Sequence, residues 1–308
     1  MSPPGRPKGE YRSAQHEGTP VTTASNAPTR WAPLLLSLPS LALFSLMVLL
    51  PLALTALLSF QQYDVDLGVK GGFTLASYAH VLGDSYYYEI FFRTGWVAAL
   101  TTLLCVLIGA PEAYILSRMG SPWRSIFLLV ILSPLLVSLV VRAFGWSLLL
   151  GPNGIVNQVF GWLGIGPVRM LYTPVAVVIA MVHVMLPFMV IPVWTSLQRL
   201  DPMVENAALS LNASRFTVLR RIVLPQITPG LLSGSLIVFG LSVSVFAIPG
   251  LLGGRRLKMV ATVIYDEYLH ELNWPLGAAV ALVLLLSNLV VMLTYNAMLE
   301  SAYKKRMG

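Results

Sequence analysis

Charge is scarce in this chain of 308 residues: Asp, Glu, Lys and Arg together make up 11%, while hydrophobic residues reach 56% and mean hydropathy is +0.75. That balance excludes a single soluble domain, which could not bury so much apolar surface. Cysteine is reduced to Cys105, inside an apolar run, so neither a disulfide framework nor a thiolate metal cluster is available. No Gly-x-x-x-x-Gly-Lys-Ser/Thr phosphate loop occurs, no His/Glu metal pair at i, i+4, and no Gly-x-Ser-x-Gly nucleophile elbow. The chain is therefore expected to catalyse nothing, to bind no metal, and to carry no cofactor of its own.

What is present is apolar sequence in six blocks. Uncharged or nearly uncharged stretches run over Trp31 to Tyr63, Thr94 to Ser117, Ser125 to Leu150, Met170 to Gln198, Ile222 to Gly254 and Leu272 to Leu299. Each exceeds the roughly 20 residues a helix needs to cross the hydrocarbon core. A membrane β-barrel would alternate apolar with polar residues, and solid runs such as Ala278 to Leu286 do not. The expected fold class is all-α, a polytopic membrane protein with six transmembrane helices at about 32–60, 92–117, 125–150, 173–198, 226–248 and 275–298. Residues 31–300 form one membrane domain. The fifth helix, rich in small residues from Gly230 to Ser244, is expected to be central, because small side chains allow close helix approach.

The net charge of +7 reads as topology rather than as a nucleic-acid footprint. With the N-terminus in the cytoplasm, thirteen Lys and Arg fall on the inner side against six on the outer, in accord with the positive-inside tendency. Residues 1–30, rich in proline and without apolar period, are expected to be a disordered cytoplasmic tail, and 301–308 a basic cytoplasmic C-terminus. The first apolar stretch is too long for a cleavable signal segment. The loop from Gln61 to Glu89, with its Tyr86-Tyr87-Tyr88 cluster, would lie outside, and Val159 to Trp162 would form a short interfacial helix.

One polar segment interrupts the pattern, from Asp201 to Pro225. Asp201 is a good N-cap and Pro202 fits the first helical position. A helix over Pro202 to Leu211 would end at Asn212, which tolerates left-handed geometry. Ser214 would cap a second helix from Arg215 to about Val223, stopped by Pro225. Ala207, Ala208 and Leu211 would share one face as a shallow apolar patch, rimmed by Glu205, Arg215 and Arg220.

At this elbow the chain resembles the permease subunits of binding-protein-dependent ABC importers of the type I architecture. Their inner loop carries Glu-Ala-Ala, a Gly four positions on, and an Ile-x-Leu-Pro ending. Aligned back from Ile222-Val223-Leu224-Pro225, the triplet falls on Asn206-Ala207-Ala208 and the Gly on Asn212, with Glu205 one residue before the expected acid. The runs Val141 to Trp146, Gly151 to Asn157 and Asn273 to Ala279 resemble the branch that includes spermidine/putrescine permeases.

The resemblance implies that the elbow is a coupling helix seated on a cytoplasmic ATPase subunit through Glu205, Asn206, Ala207, Ala208, Leu211, Asn212 and Arg215. It further implies two ATPase subunits that bind the ATP and magnesium, a second permease in a heterodimer, and a periplasmic or extracellular solute-binding protein. The substrate would be a small solute, with a polyamine favoured, in a bacterial inner membrane and without nucleic acid.

Three ionisable residues fall inside the apolar blocks. Arg142 is a candidate for the translocation path or an outer gate, the alternative being a structural pair or snorkelling. Glu112 is expected to pair with an inner arginine, although it could face a cationic substrate. His183 reads as a packing residue with a role in translocation as the alternative. An ion-coupled secondary transporter built on Glu112, Arg142 and His183 is the rival reading.

Overall fold

The structure, a computed structural model, describes residues 32–254 and 257–307. The expected tail over 1–30 lies outside them, as do Arg255 and Arg256. The chain divides into two compact units, Met1–Pro51 and Leu52–Gly308. In the first, the described residues are helical and belong to α1 (Ala32–Ser59), which accommodates Pro39 and Pro51 inside its length. The remaining elements belong to the second unit.

Its elements are a hairpin, β1 (Gln62–Asp64) and β2 (Gly68–Lys70), then α2 (Ala76–Gly83), α3 (Ser85–Arg118), α4 (Trp123–Leu136), α5 (Leu139–Leu150), α6 (Ile155–Trp162) and α7 (Pro174–Leu197). There follow α8 (Pro202–Ser210), α9 (Arg215–Val218), α10 (Leu224–Ser244), α11 (Val260–Leu269) and α12 (Trp274–Met307). The antiparallel hairpin pairs Gln62 with Lys70 and Asp64 with Gly68. Everything else regular among the described residues is helical, so the fold is all-α. Among the described residues six segments are long and apolar enough to cross a membrane: Ser37–Ser59, Ser85–Arg118, Leu139–Trp162, Pro174–Leu197, Arg215–Ser244 and Trp274–Met298.

The core is built on α3, α7 and α10, which pack mainly on one another. The centre is α7, with 61% of its apolar window buried. Met189 of α7 is fully buried between two glycines: a Cβ on Gly109 of α3 would lie 3.0 Å from its Cγ, and one on Gly234 of α10 2.8 Å from its Sδ. Gly230 approaches closer still, because a Cβ there would lie 2.5 Å from the Pro192 carbonyl oxygen. The small residues of the fifth apolar block thus let α10 touch the backbone of α7.

Several boundaries depart from the sequence reading. The third block is not one helix over 125–150 but two, α4 and α5, with Val137 and Ser138 extended between them. Pro134 removes a donor there and the β-branched Val137, Val140 and Val141 add little helix propensity. Helix α3 begins at Ser85, because the Asp84 carboxylate caps it by accepting from the Tyr86 N–H at 2.9 Å. The Tyr86-Tyr87-Tyr88 cluster is therefore its first turn rather than loop. Helix α12 continues to Met307, past the expected end at 298, since no Gly or Pro intervenes. The interfacial helix α6 begins four residues before Val159.

Pro225 does not stop the second elbow helix either. The turn Leu219–Val223 widens, the Leu224 N–H reaching back five residues to the Leu219 carbonyl, and helix continues through α10. The wide turn brings Pro225 in at the start of the new helical register, where a missing N–H is tolerated.

Candidate functional site

The elbow forms from capping residues outward. Asp201 accepts from the Met203 N–H at 2.8 Å, Pro202 occupies the first helical position, and α8 follows. Its end is a Schellman motif: the Ala213 N–H bonds the Ala208 carbonyl at 3.1 Å and the Asn212 N–H the Leu209 carbonyl at 3.0 Å. Asn212 sits between them at φ +62°, the left-handed position for which asparagine is suited. Ser214 then caps α9, accepting from the Thr217 N–H at 3.2 Å.

The two faces of α8 differ. Leu211 is 84% exposed and Met203 74%, and Ala207 and Asn206 are open with them, whereas Ala208 is half-buried. Met203, Ala207 and Leu211 recur at i, i+4 and i+8, one stripe of the helix. On α9, Phe216 is 70% exposed beside the open Arg215. This apolar surface is larger than the sequence patch of Ala207, Ala208 and Leu211. The i+4 spacing from Met203 was the available signal for it.

Glu205 corrects the expected rim. It is 7% exposed and its carboxylate meets the Arg118 guanidinium at the end of α3. Arg118 in turn lies over the Tyr114 ring, its Cζ 5.2 Å from the centroid. Arg118 gave no signal as a partner because 87 residues of sequence separate the two.

Glu112 does not gain the inner arginine expected for it: Arg118 is taken by Glu205, and Glu112 Oε2 is buried without a hydrogen-bond partner. Arg142, in the first turn of α5, likewise keeps Nε and Nη1 buried and unbonded. One turn further, Trp146 Nε1 donates to His183 Nδ1 of α7 at 3.3 Å, the rings meeting edge to face at 5.6 Å. Thus α5 brings Arg142 and the Trp146–His183 pair to one helical face, while no hydrogen bond or ion pair joins Glu112 to either among the described residues. Nothing in this geometry favours an ion-coupled carrier.

At the end of α3 remote from the elbow, a cavity of about 470 Å³ is lined by Tyr63, Tyr86, Lys258, Asp266, Glu267 and Glu271 among others. Lys258 Nζ pairs with Asp266 at 2.7 Å, which leaves the acidic side in excess. Burial, with Glu271 adding to it, raises the Glu267 carboxyl above its ordinary value. The bond to Asp266 raises the Lys258 ammonium. The sequence reading missed this cluster, whose residues come from the hairpin, α3, α11 and the segments that flank α11.

Residues 113–301 match the family described as the binding-protein-dependent transport system inner membrane component, a span that includes the whole elbow. The chain belongs to this family. Among individual relatives, the spermidine/putrescine transport system permease protein PotB of Escherichia coli strain K12 is 32% identical over 252 residues, covering 81% of this chain and 91% of PotB. PotB of Salmonella typhimurium strain LT2 is equally similar over 88% of its length. The molybdenum transport system permease protein ModB of Mycobacterium bovis is 34% identical over 190 residues, 61% of this chain and 70% of ModB. A bacterial ABC transporter involved in the import of the acidic polysaccharide alginate has the same fold, with TM-score 0.74 at 19% identity over 87% of this chain and 94% of that one. As a binding-protein-dependent permease, the chain is a multi-pass inner membrane protein and a type I ABC importer subunit, a transport component rather than an enzyme.

Proposed function

We propose that this permease carries a polyamine such as spermidine or putrescine, delivered by an external binding protein, and that its elbow takes the driving force from a cytoplasmic ATPase. The carrying observation is the exposed stripe Met203, Ala207 and Leu211 on a capped helix, lying in the matched part of a chain that has no phosphate loop. A shallow apolar stripe with polar neighbours suits docking to a soluble subunit. ATP and magnesium would bind that partner, present in two copies, with a second permease completing a heterodimer. ATP binding would close the ATPases, carry the elbows with them and open the bundle outward, the scheme of alternating access.

The polyamine reading rests on the relatives named for spermidine and putrescine and on the acidic, tyrosine-lined cavity at the end opposite the elbow. Three carboxylates against one lysine attract a polycation, and tyrosine faces add cation–π contact. Arg142, Glu112 and His183 remain candidates for the path between, Arg142 and Glu112 because charged groups in apolar segments, with Arg142 Nε and Nη1 and Glu112 Oε2 buried and unbonded, must be wetted or paired in use. The excess of thirteen basic residues over six supports a cytoplasmic side for both termini.

The test is an Ala207→Arg permease expressed with its partner ATPase. Normal membrane insertion with loss of both ATPase capture and spermidine uptake is expected. Normal uptake would refute the docking role, and uptake by the parent chain of a solute other than polyamines would refute the substrate.

A further inference from the structure

Glu205 occupies the first turn of α8, in the helix that carries the exposed stripe, yet it faces the other way. It lies two residues from both Met203 and Ala207, so on a 3.6-residue helix it projects from the opposite side. With 7% of its surface exposed, its carboxylate has no free face to offer a soluble partner. It is held by Arg118 at the end of α3, and the α8 N-terminus adds a favourable dipole. Arg118 is itself held by Tyr114 one turn earlier on the same helix. Among the described residues this is the one ion pair that connects α8 to a membrane-crossing helix.

Helix α3 runs without a break through Pro111 for 34 residues, about 51 Å at 1.5 Å per residue. Its far end is tied to α11, where the Val260 N–H donates to the Thr94 hydroxyl at 2.9 Å. It also packs along α7 and α10. A displacement pressed on the stripe of α8 therefore has a polar link, through Glu205 and Arg118, into a helix that reaches α11.

We propose that the Arg118–Glu205 pair is a positioning latch, which conveys the movement of the elbow to α3 and makes no contact with the ATPase. This rests on the reading of the elbow as an ATPase dock. A half-exposed arginine against a buried carboxylate suits the task, because removing either partner strands the other while leaving the docking stripe untouched.

The test uses the full complex in lipid nanodiscs with Glu205→Gln, Arg118→Gln, both together, and the reversed pair Arg118→Glu with Glu205→Arg. Two quantities are read: retention of the ATPase subunit on the tagged permease, and the change in amide hydrogen exchange around Thr94 and α11 when ATP and vanadate are added. The latch predicts full retention in every variant. It predicts a response near Thr94 reduced about tenfold in each single variant, no further loss in the double, and recovery in the reversed pair. Release of the ATPase by Glu205→Gln but not by Arg118→Gln would overturn it, since Glu205 would then touch the partner. An unchanged response near Thr94, or losses that add in the double variant, would overturn it equally. Failure of the dock itself would show differently, as a parent permease that retains no ATPase.

Discussion

The Thr94 hydroxyl of α3 accepts the Val260 N–H at 2.9 Å and donates to the Ile90 carbonyl at 2.8 Å, with both residues buried. This closes the start of α11, where the Met259 N–H also meets the Thr262 hydroxyl at 2.8 Å. Thr94→Val keeps the shape and strands the Val260 N–H in an apolar setting, at a cost of about 1–3 kcal/mol. The midpoint of thermal unfolding in detergent is expected to fall for Thr94→Val and to stay near the parent for Thr94→Ser. Equal melting of all three would show that the bond contributes nothing.

Glycines of α10 should rank by what an added methyl meets. At Gly230 it meets the Pro192 carbonyl oxygen at 2.5 Å and the Val193 Cα at 2.9 Å, both backbone. At Gly240 the obstacle is the Met292 Cε, the loose end of a flexible side chain. Gly230→Ala is therefore expected to lose about 1–3 kcal/mol through overpacking, and Gly240→Ala less than about 1 kcal/mol. The reverse order in folded yield and melting temperature would contradict the close α7–α10 approach.

Much of this was legible because lipid imposes strict rules. Apolar blocks long enough to cross the membrane marked the spanning segments, and Asp201, Pro202, Asn212 and Ser214 marked the elbow through local capping chemistry, which needs no knowledge of distant residues. Pairings across the fold were not legible. Glu205 was read as a rim residue because nothing local reveals that Arg118, in another helix, would bury it. The same holds for the cavity residues Tyr63, Tyr86 and Glu267, which come from separate elements. The break at Val137 and the passage of helix through Pro225 failed for another reason: each depends on whether the chain spends a wide or extended turn near a proline, and both outcomes satisfy the local pattern.

Glu267 should make the protein more stable in mild acid than at neutral pH, as far as this residue is concerned. Burial first, and Glu271 second, raise its carboxyl above the ordinary 4.5. Between that value and the raised one the folded protein holds more protons than the unfolded chain, so stability falls as pH rises through the window. Glu267→Gln removes the penalty. The variant is expected to melt above the parent at pH 7 and to converge with it near pH 4; a parent that gains on the variant between pH 4 and 7 would reverse the sign. Spermidine, if it enters this cavity, should raise the melting temperature of the parent more than that of the variant at pH 7.

The elbow surface predicts a separation of docking from stability. Met203, Leu211 and Phe216 are 74%, 84% and 70% exposed, so truncating them removes little packing from the fold. Apolar side chains at the centre of an interface nevertheless carry much of its energy, and losing one typically weakens binding by about 1–2 kcal/mol. Leu211→Ser and Phe216→Ser should each weaken ATPase capture about tenfold while melting within a few degrees of the parent, read by titrating detached ATPase onto permease in nanodiscs. Asn212→Gly, which keeps the left-handed turn without its side chain, should hold capture close to the parent, and Asn212→Val, which strains that turn, should weaken it by misplacing Leu211. Capture that is indifferent to Leu211 and Phe216 but lost with Asn212→Gly would mean that the partner reads the asparagine side chain and not the apolar stripe.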